Sequence, residues 1–222
     1  MTSGPAAAMH VAELWRYPVK SLRGERLEQA EVNWDGIAGD RLVHVESGRG
    51  LVTARTKHRL LGLAATLGDD GVARVDGRAW WEPDVEQQVR EAAGPDAHLV
   101  PFDGLERFDI LPLLVATDGA IAVFGHDGRR LRPNLVLGGV DGLTERSWEG
   151  KLLVINEVVI RLDSLRGRCI MTTFQPDTLE QDVDVLRHIN RRFAGTLALN
   201  AEVLKPGVVR VGDAAEVVDE PG

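Results

Sequence analysis

Chain breakers set the terms on which this sequence can fold. Its 222 residues include 24 glycines and 10 prolines, spaced so that most runs between them hold only five to ten residues, the length of strands rather than of helices. The fold class read from this is mainly β (α+β), two small antiparallel β-barrel-like units with few helices. Strands are expected at Val11–Tyr17, Arg41–Glu46, Leu51–Ala54, Leu61–Leu67, Val72–Val75, Leu113–Thr117, Asn134–Leu137, Leu152–Ile155, Val158–Leu162 and Ala214–Val218. The Ser47-Gly48-Arg49-Gly50 turn makes a hairpin of the second and third, and Asn156-Glu157 turns another.

Two segments carry helical spacing instead. Pro83–Ala93 starts on a proline suited to a first turn and sets Val85 and Val89 on one face. Thr178–Phe193 aligns Val183, Leu186, Ile189 and Phe193, with acids near its start and Arg187, Arg191 and Arg192 near its end, as the helix dipole favours. Its acidic start reads as a solvated helix end, with docking of a redox partner as the other reading. The polar stretch from Pro101 to Leu111 divides the chain into units of residues 9–105 and 106–220.

The net charge of -8 disfavours a chain whose task is to bind nucleic acid, which shows a basic surplus. No apolar run approaches the twenty or so residues of a membrane span; the longest, Ile110–Ala116, is far shorter. One cysteine, Cys169, excludes an intramolecular disulfide framework and suits a reducing, cytoplasmic setting. That lone thiol is either buried filler, as unpaired cysteines usually are, or a single reactive or ligating group. Arg168 beside it would favour thiolate, and Thr172 and Thr173 offer hydroxyls to an oxyanion.

Three constellations could hold an anion. Tyr17-Pro18-Val19-Lys20-Ser21 delivers an ammonium and a hydroxyl to one loop, Gly36-Ile37-Ala38-Gly39-Asp40-Arg41 presents an Asp-Arg pair at a turn, and Leu131-Arg132-Pro133-Asn134-Leu135 sets a guanidinium and an amide about a proline. Singly, each reads as an ordinary solvent-facing charge. Their order says more. Tyr-Pro-Val-Lys-Ser, Gly-x-x-Gly-Asp-Arg, Thr-Ala-Arg (Thr53 to Arg55), Arg-Pro-Asn-Leu, Arg-Cys-x-x-Thr-Thr and Gly-Val-Val-Arg-Val-Gly-Asp (Gly207 to Asp213) succeed one another as in the MOSC family. The chain resembles, more narrowly, MOSC proteins with an N-terminal MOSC-associated β-barrel, the group of the mitochondrial amidoxime-reducing component.

This resemblance implies a molybdenum-molybdopterin cofactor (Moco) and a molybdenum cofactor-dependent oxidoreductase that reduces N-hydroxylated or N-oxygenated small molecules. It implies Cys169 as catalytic residue and metal ligand, and Lys20, Ser21, Arg41, Thr117, Arg132, Asn134 and Arg168 as cofactor-binding residues. Its partners would be a small-molecule substrate and a separate electron-donor protein, ferredoxin-like or cytochrome-like, since no iron-sulfur segment follows Asp219. Nucleic acid and membrane are not expected. The likeness also admits a pyridoxal phosphate-binding description. The alternatives are a carrier of the cofactor or of sulfur, with Cys169 as the persulfide site and no turnover, and a structural barrel with a decayed site. The chain departs from its relatives at Val43, where they commonly have an aromatic residue, at Arg166, where many have a second cysteine, and at Gln175 and Leu179. The short stretch from Thr117 to Arg132 is expected to lack a helix that relatives have there.

Overall fold

A computed structural model describes residues 8–102, 104 and 107–220. The longest sheet has eight strands. In chain order they are β1 (His10–Arg16), β2 (Glu25–Leu27), β11 (Leu113–Thr117), β12 (Leu135–Gly138), β13 (Lys151–Ile155), β14 (Val158–Gly167), β15 (Thr196–Lys205) and β17 (Ala215–Val218), and the spatial order is β17-β13-β14-β15-β11-β12-β1-β2. Every adjacent pair is antiparallel except β11 with β12. A parallel neighbour cannot be reached by a tight turn. The connection between them therefore carries the helix α2 (Asp118–Phe124).

Three smaller sheets complete the fold. β5 (Val43–Ser47) lies between β6 (Gly50–Val52) and β10 (His98–Pro101); β3 (Gln29–Asn33) lies between β4 (Gly36–Ile37) and β16 (Gly207–Arg210); β8 (Ala73–Val75) lies between β7 (Ala65–Leu67) and β9 (Arg78–Ala79). The mainly β class expected from the breakers is what the chain adopts. Among the described residues the named strands give no closed barrel, but the long sheet curls in the barrel-like way expected: His10 of β1 bridges Ala214 beside β17, and the Val11 N–H donates to the Asp213 carbonyl at 2.9 Å.

Apolar side chains gather into two large cores. One takes Val11 and Leu14 of β1, Val115, Leu135, Ile155, Ile160 and Leu199, with Val32 and Val209 from the β3–β16 pair. Residues from both ends of the chain thus share it. The other takes Val19, Leu22, Val43, Val45, Leu60 and Val75, covered by Val85 and Val89 of α1 (Pro83–Ala93). The predicted bounds and buried face of that helix are those observed.

One expectation changes. α3 spans Val183–Arg192 rather than starting at Thr178, because Leu179 adopts φ 59° and the Asp182 carboxylate accepts the Asp184 N–H, capping the helix there. The short stretch from Thr117 to Arg132 holds the helix α2, which Thr117 caps by accepting the Ala120 N–H at 3.1 Å and Gly125 ends in the left-handed region.

Candidate functional site

The chain leaving β1 is pinned before it presents any functional group. The Tyr17 N–H donates to the Asp40 carboxylate at 2.6 Å, its carbonyl accepts the Arg41 N–H at 2.8 Å, and Val19 bridges Val43. Lys20 and Ser21 follow on this anchored loop, both buried. The Ser21 hydroxyl accepts the Ala54 N–H at 3.0 Å, tying the loop to the Thr53–Arg55 segment. Three residues here, Ser21, Arg41 and Arg132, hold positive φ (73°, 51° and 56°). Such backbone is unfavourable by about 1–3 kcal/mol for a residue with a Cβ and persists where surrounding contacts force it.

Arg132 closes the 3-10 turn Gly128–Leu131, and its guanidinium lies 4.3 Å from the centre of the Tyr17 ring. Tyr17 in turn donates from its hydroxyl to the Pro133 carbonyl at 3.1 Å. Burial pushes the Tyr17 phenol above its usual range, so it stays neutral. On the opposite wall β14 ends at Gly167, the Arg168 N–H donates to Gly195, and Cys169 opens the 3-10 turn Ile170–Thr173. The Thr172 and Thr173 hydroxyls, read from sequence as possible oxyanion donors, instead donate to the Cys169 and Ile170 carbonyls at 2.8 and 2.7 Å. They close the turn that carries the thiol.

These walls line a cavity of about 300 Å³ to which partly exposed Cys169 and six arginines, Arg41, Arg55, Arg130, Arg132, Arg166 and Arg168, all contribute. A recess of about 40 Å³ adjoins it, lined by Lys20, Ser21 and Thr53, and shares Arg41, Arg55, Arg132, Asp109 and Met171 with it. Asp109 is the one carboxylate among the lining residues of either space. It accepts from Lys20 at 2.9 Å, Arg55 at 2.8 Å and Arg166 at 3.0 Å. Burial alone would raise the Asp109 carboxyl, but the Lys20 hydrogen bond and the three cations outweigh it and hold the group down to about 2. Burial lowers Lys20, against the pull of Asp109. Burial likewise brings Arg168 down to about 10, against the attraction of Cys169, and leaves it charged at neutral pH.

The fold thus brings Cys169, Arg41, Arg132 and Arg168 to one cavity and Lys20 and Ser21 to its recess. Thr117 and Asn134 line neither. Thr117 is fully buried as the α2 cap, and Asn134, also fully buried, donates to the Trp15 carbonyl at 3.3 Å and accepts the Leu114 N–H at 3.1 Å. Sequence reasoning did not single out Asp109 or Arg130 as ligand groups, and it quoted Arg55 only within its motif. Arg166, noted as a departure from relatives, adds a cation to the cavity.

The arrangement suits a particular kind of ligand. Among the described residues no group of three or more His, Cys, Asp or Glu side chains could hold a bare metal ion. A single thiol ringed by cations, with buried Nε atoms of Arg130 and Arg168 lacking partners, fits a metal that arrives inside its own anionic organic ligand.

Two family models match in tandem: the MOSC N-terminal beta barrel domain over residues 8–110 and the MOSC domain over residues 122–216. The chain belongs to the MOSC family, one associated with molybdenum cofactor binding. Its relatives include human mitochondrial amidoxime-reducing component 1, 24% identical over 91% of this chain and 81% of that one. Human mitochondrial amidoxime reducing component 2 is also 24% identical, over 91% and 82%. Among solved structures, the YUAD protein from Bacillus subtilis has the same fold, with a TM-score of 0.54 at 13% identity over 96% of this chain and 97% of that one. No helix among the described residues is long and apolar enough to cross a membrane.

Proposed function

We propose that this chain is a molybdenum cofactor-dependent oxidoreductase that reduces N-hydroxylated or N-oxygenated small molecules. The observation that carries the reading is the cavity lined by the lone cysteine together with six arginines. The relatives' printed names, amidoxime-reducing components, supply the reaction class.

Cys169 as thiolate would be the protein's sulfur ligand to the metal, held by a turn whose hydroxyls already point into its own backbone. Lys20 and Ser21 in the recess would hold the cofactor's phosphate, with Arg41 and Arg132 between recess and thiol on the pterin side. Arg168, fixed by donating to the Leu131 carbonyl at 2.7 Å, would keep positive charge beside the thiolate and favour it over the thiol. When bound, the cofactor supplies two-electron oxygen-transfer chemistry. The residues contribute orientation and electrostatics. Asp109, at about 2, holds no proton to donate at neutral pH. Electrons come from a separate ferredoxin-like or cytochrome-like carrier, in a cytoplasmic setting.

The test is molybdenum and oxidised-pterin content of purified protein, with amidoxime reduction by a chemical donor, in wild type and Cys169→Ser. Wild type should hold about one molybdenum per chain and turn over; the variant should keep some pterin through its cations and lose turnover. Equal activity in both would refute ligation by Cys169. Cyanide-labile sulfur without metal would instead establish a sulfur carrier.

A further inference from the structure

Arg130, Arg132 and Met171 line the thiol cavity on one side and, on the other, a second cavity of about 240 Å³ that the proposed activity does not use. Its remaining walls are largely apolar and aromatic. Trp15 and Tyr17 come from the end of β1, Leu61 from the 3-10 turn His58–Gly62, and Phe174 from the end of the thiol-bearing turn. Phe174 is stacked with His58, ring centres 4.6 Å apart and planes within 7°, which holds its ring in place.

The charge of this lining is one-sided. Arg23, Arg129, Arg130 and Arg132 contribute guanidiniums and no carboxylate lines the space. Arg129 is neutralised by Asp127 and Asp177, each at 2.7 Å. The other three have no carboxylate within ion-pair distance among the described residues. Arg132 rests on the Tyr17 ring. Arg130 makes one hydrogen bond, from Nη1 to the Thr172 carbonyl at 3.1 Å, and its buried Nε has none. Burial lowers Arg130 and Arg132; Asp127 and Asp182 act the other way on Arg130, and Tyr17, Asp40 and Asp109 on Arg132, from beyond ion-pair distance. A partly buried guanidinium with no carboxylate within ion-pair distance is free to pair with an anion in the cavity. Aromatic faces beside an unpaired guanidinium select an anion that carries a flat ring.

We propose that this second cavity is a binding site for an aromatic carboxylate, its ring against Trp15 and Phe174 and its carboxylate on Arg130. The site needs neither metal nor pterin to be complete. Since Arg130, Arg132 and Met171 form the shared wall, a ligand there lies one side chain away from the space that Cys169 faces.

Calorimetric titration of the metal-free full chain with 2-naphthoate, 2-naphthamide and inorganic phosphate tests this. We expect saturable binding of 2-naphthoate at least about tenfold tighter than of the uncharged amide, undiminished by phosphate, which is drawn to the Lys20 recess. Arg130→Gln should abolish the preference for carboxylate over amide, and Phe174→Leu should weaken both naphthalene compounds alike. Equal affinity for naphthoate and naphthamide in the wild type, or no saturation by millimolar naphthoate, overturns the proposal without recourse to any variant. Metal-free protein that binds naphthoate yet never takes up molybdenum would refute the cofactor reading alone, whereas molybdenum-loaded protein whose metal-free form ignores naphthoate would refute this one alone.

Discussion

Asp109→Asn isolates the balance of charge on which the cofactor reading depends. The carboxylate now accepts from Lys20, Arg55 and Arg166, the cations an incoming phosphate would need. A carboxyl held at about 2 instead of its ordinary 3.8 has its charged form favoured by roughly 2 kcal/mol. Its side chain is 35% exposed, and solvent screening brings the useful part to about 1–1.5 kcal/mol. The amide keeps the shape and removes the charge, leaving three cations facing one another. The metal-free variant should therefore melt roughly 3 °C lower and bind inorganic phosphate roughly tenfold more tightly, because the internal competitor is gone. A depressed carboxyl stabilises the fold above its unfolded value near 3.8, and that contribution is lost as pH falls through about 2. The stability gap between wild type and variant should be flat above about pH 5 and close toward pH 2. Calorimetric melting and phosphate titration read both effects. A variant that melts lower but gains no phosphate affinity would refute the idea that Asp109 and the anion compete for one cluster.

The remaining predictions concern groups behind the cavity. Thr117→Ala removes the α2 cap and should lower stability by about 1 kcal/mol while leaving pterin content intact; lost pterin at unchanged stability would make Thr117 a ligand after all. Glu145 is fully buried, one of its oxygens has no partner, and burial holds its carboxyl above the usual range. The folded chain thus grips this proton more firmly than the unfolded chain, and the stabilisation is present below the unfolded value and lost as pH rises. Glu145→Gln should then gain stability relative to wild type as urea melts move from pH 4 to pH 8, and a gap constant across that range would refute the assignment.

How much of this was legible depends on whether the signal was local. β11 and α1 have the predicted bounds because proline or glycine punctuates their neighbourhoods and a short-period pattern fills the space between. β15 escaped notice because no breaker divides its ten residues and polar Asn200 sits in the middle, although Leu197, Leu199, Ala201 and Val203 recur with the period of a strand. Asn200 is tolerated there because it donates to Ser164 and accepts from Arg166. The site divides in the same way. Cys169, Lys20, Arg41 and Arg132 were legible because each sits in a short motif, but Asp109 lies in a stretch that reads as a linker, and its partners Arg55 and Arg166 are 54 and 57 residues away along the chain. Thr117 and Asn134 show the converse. A hydroxyl or amide in a motif has the same donors and acceptors whether it faces a ligand or caps a helix, and in the folded chain these two are buried and bonded to backbone. Even the aim of Ser21, Arg41 and Arg132 rests on left-handed backbone, which residue type normally signals by glycine or asparagine. Tertiary contacts impose it here, such as the Arg41 N–H on the Tyr17 carbonyl. A cavity shaped by contacts between distant segments therefore leaves its clearest record in the folded chain, where strained backbone and unpaired guanidiniums converge on one sulfur atom.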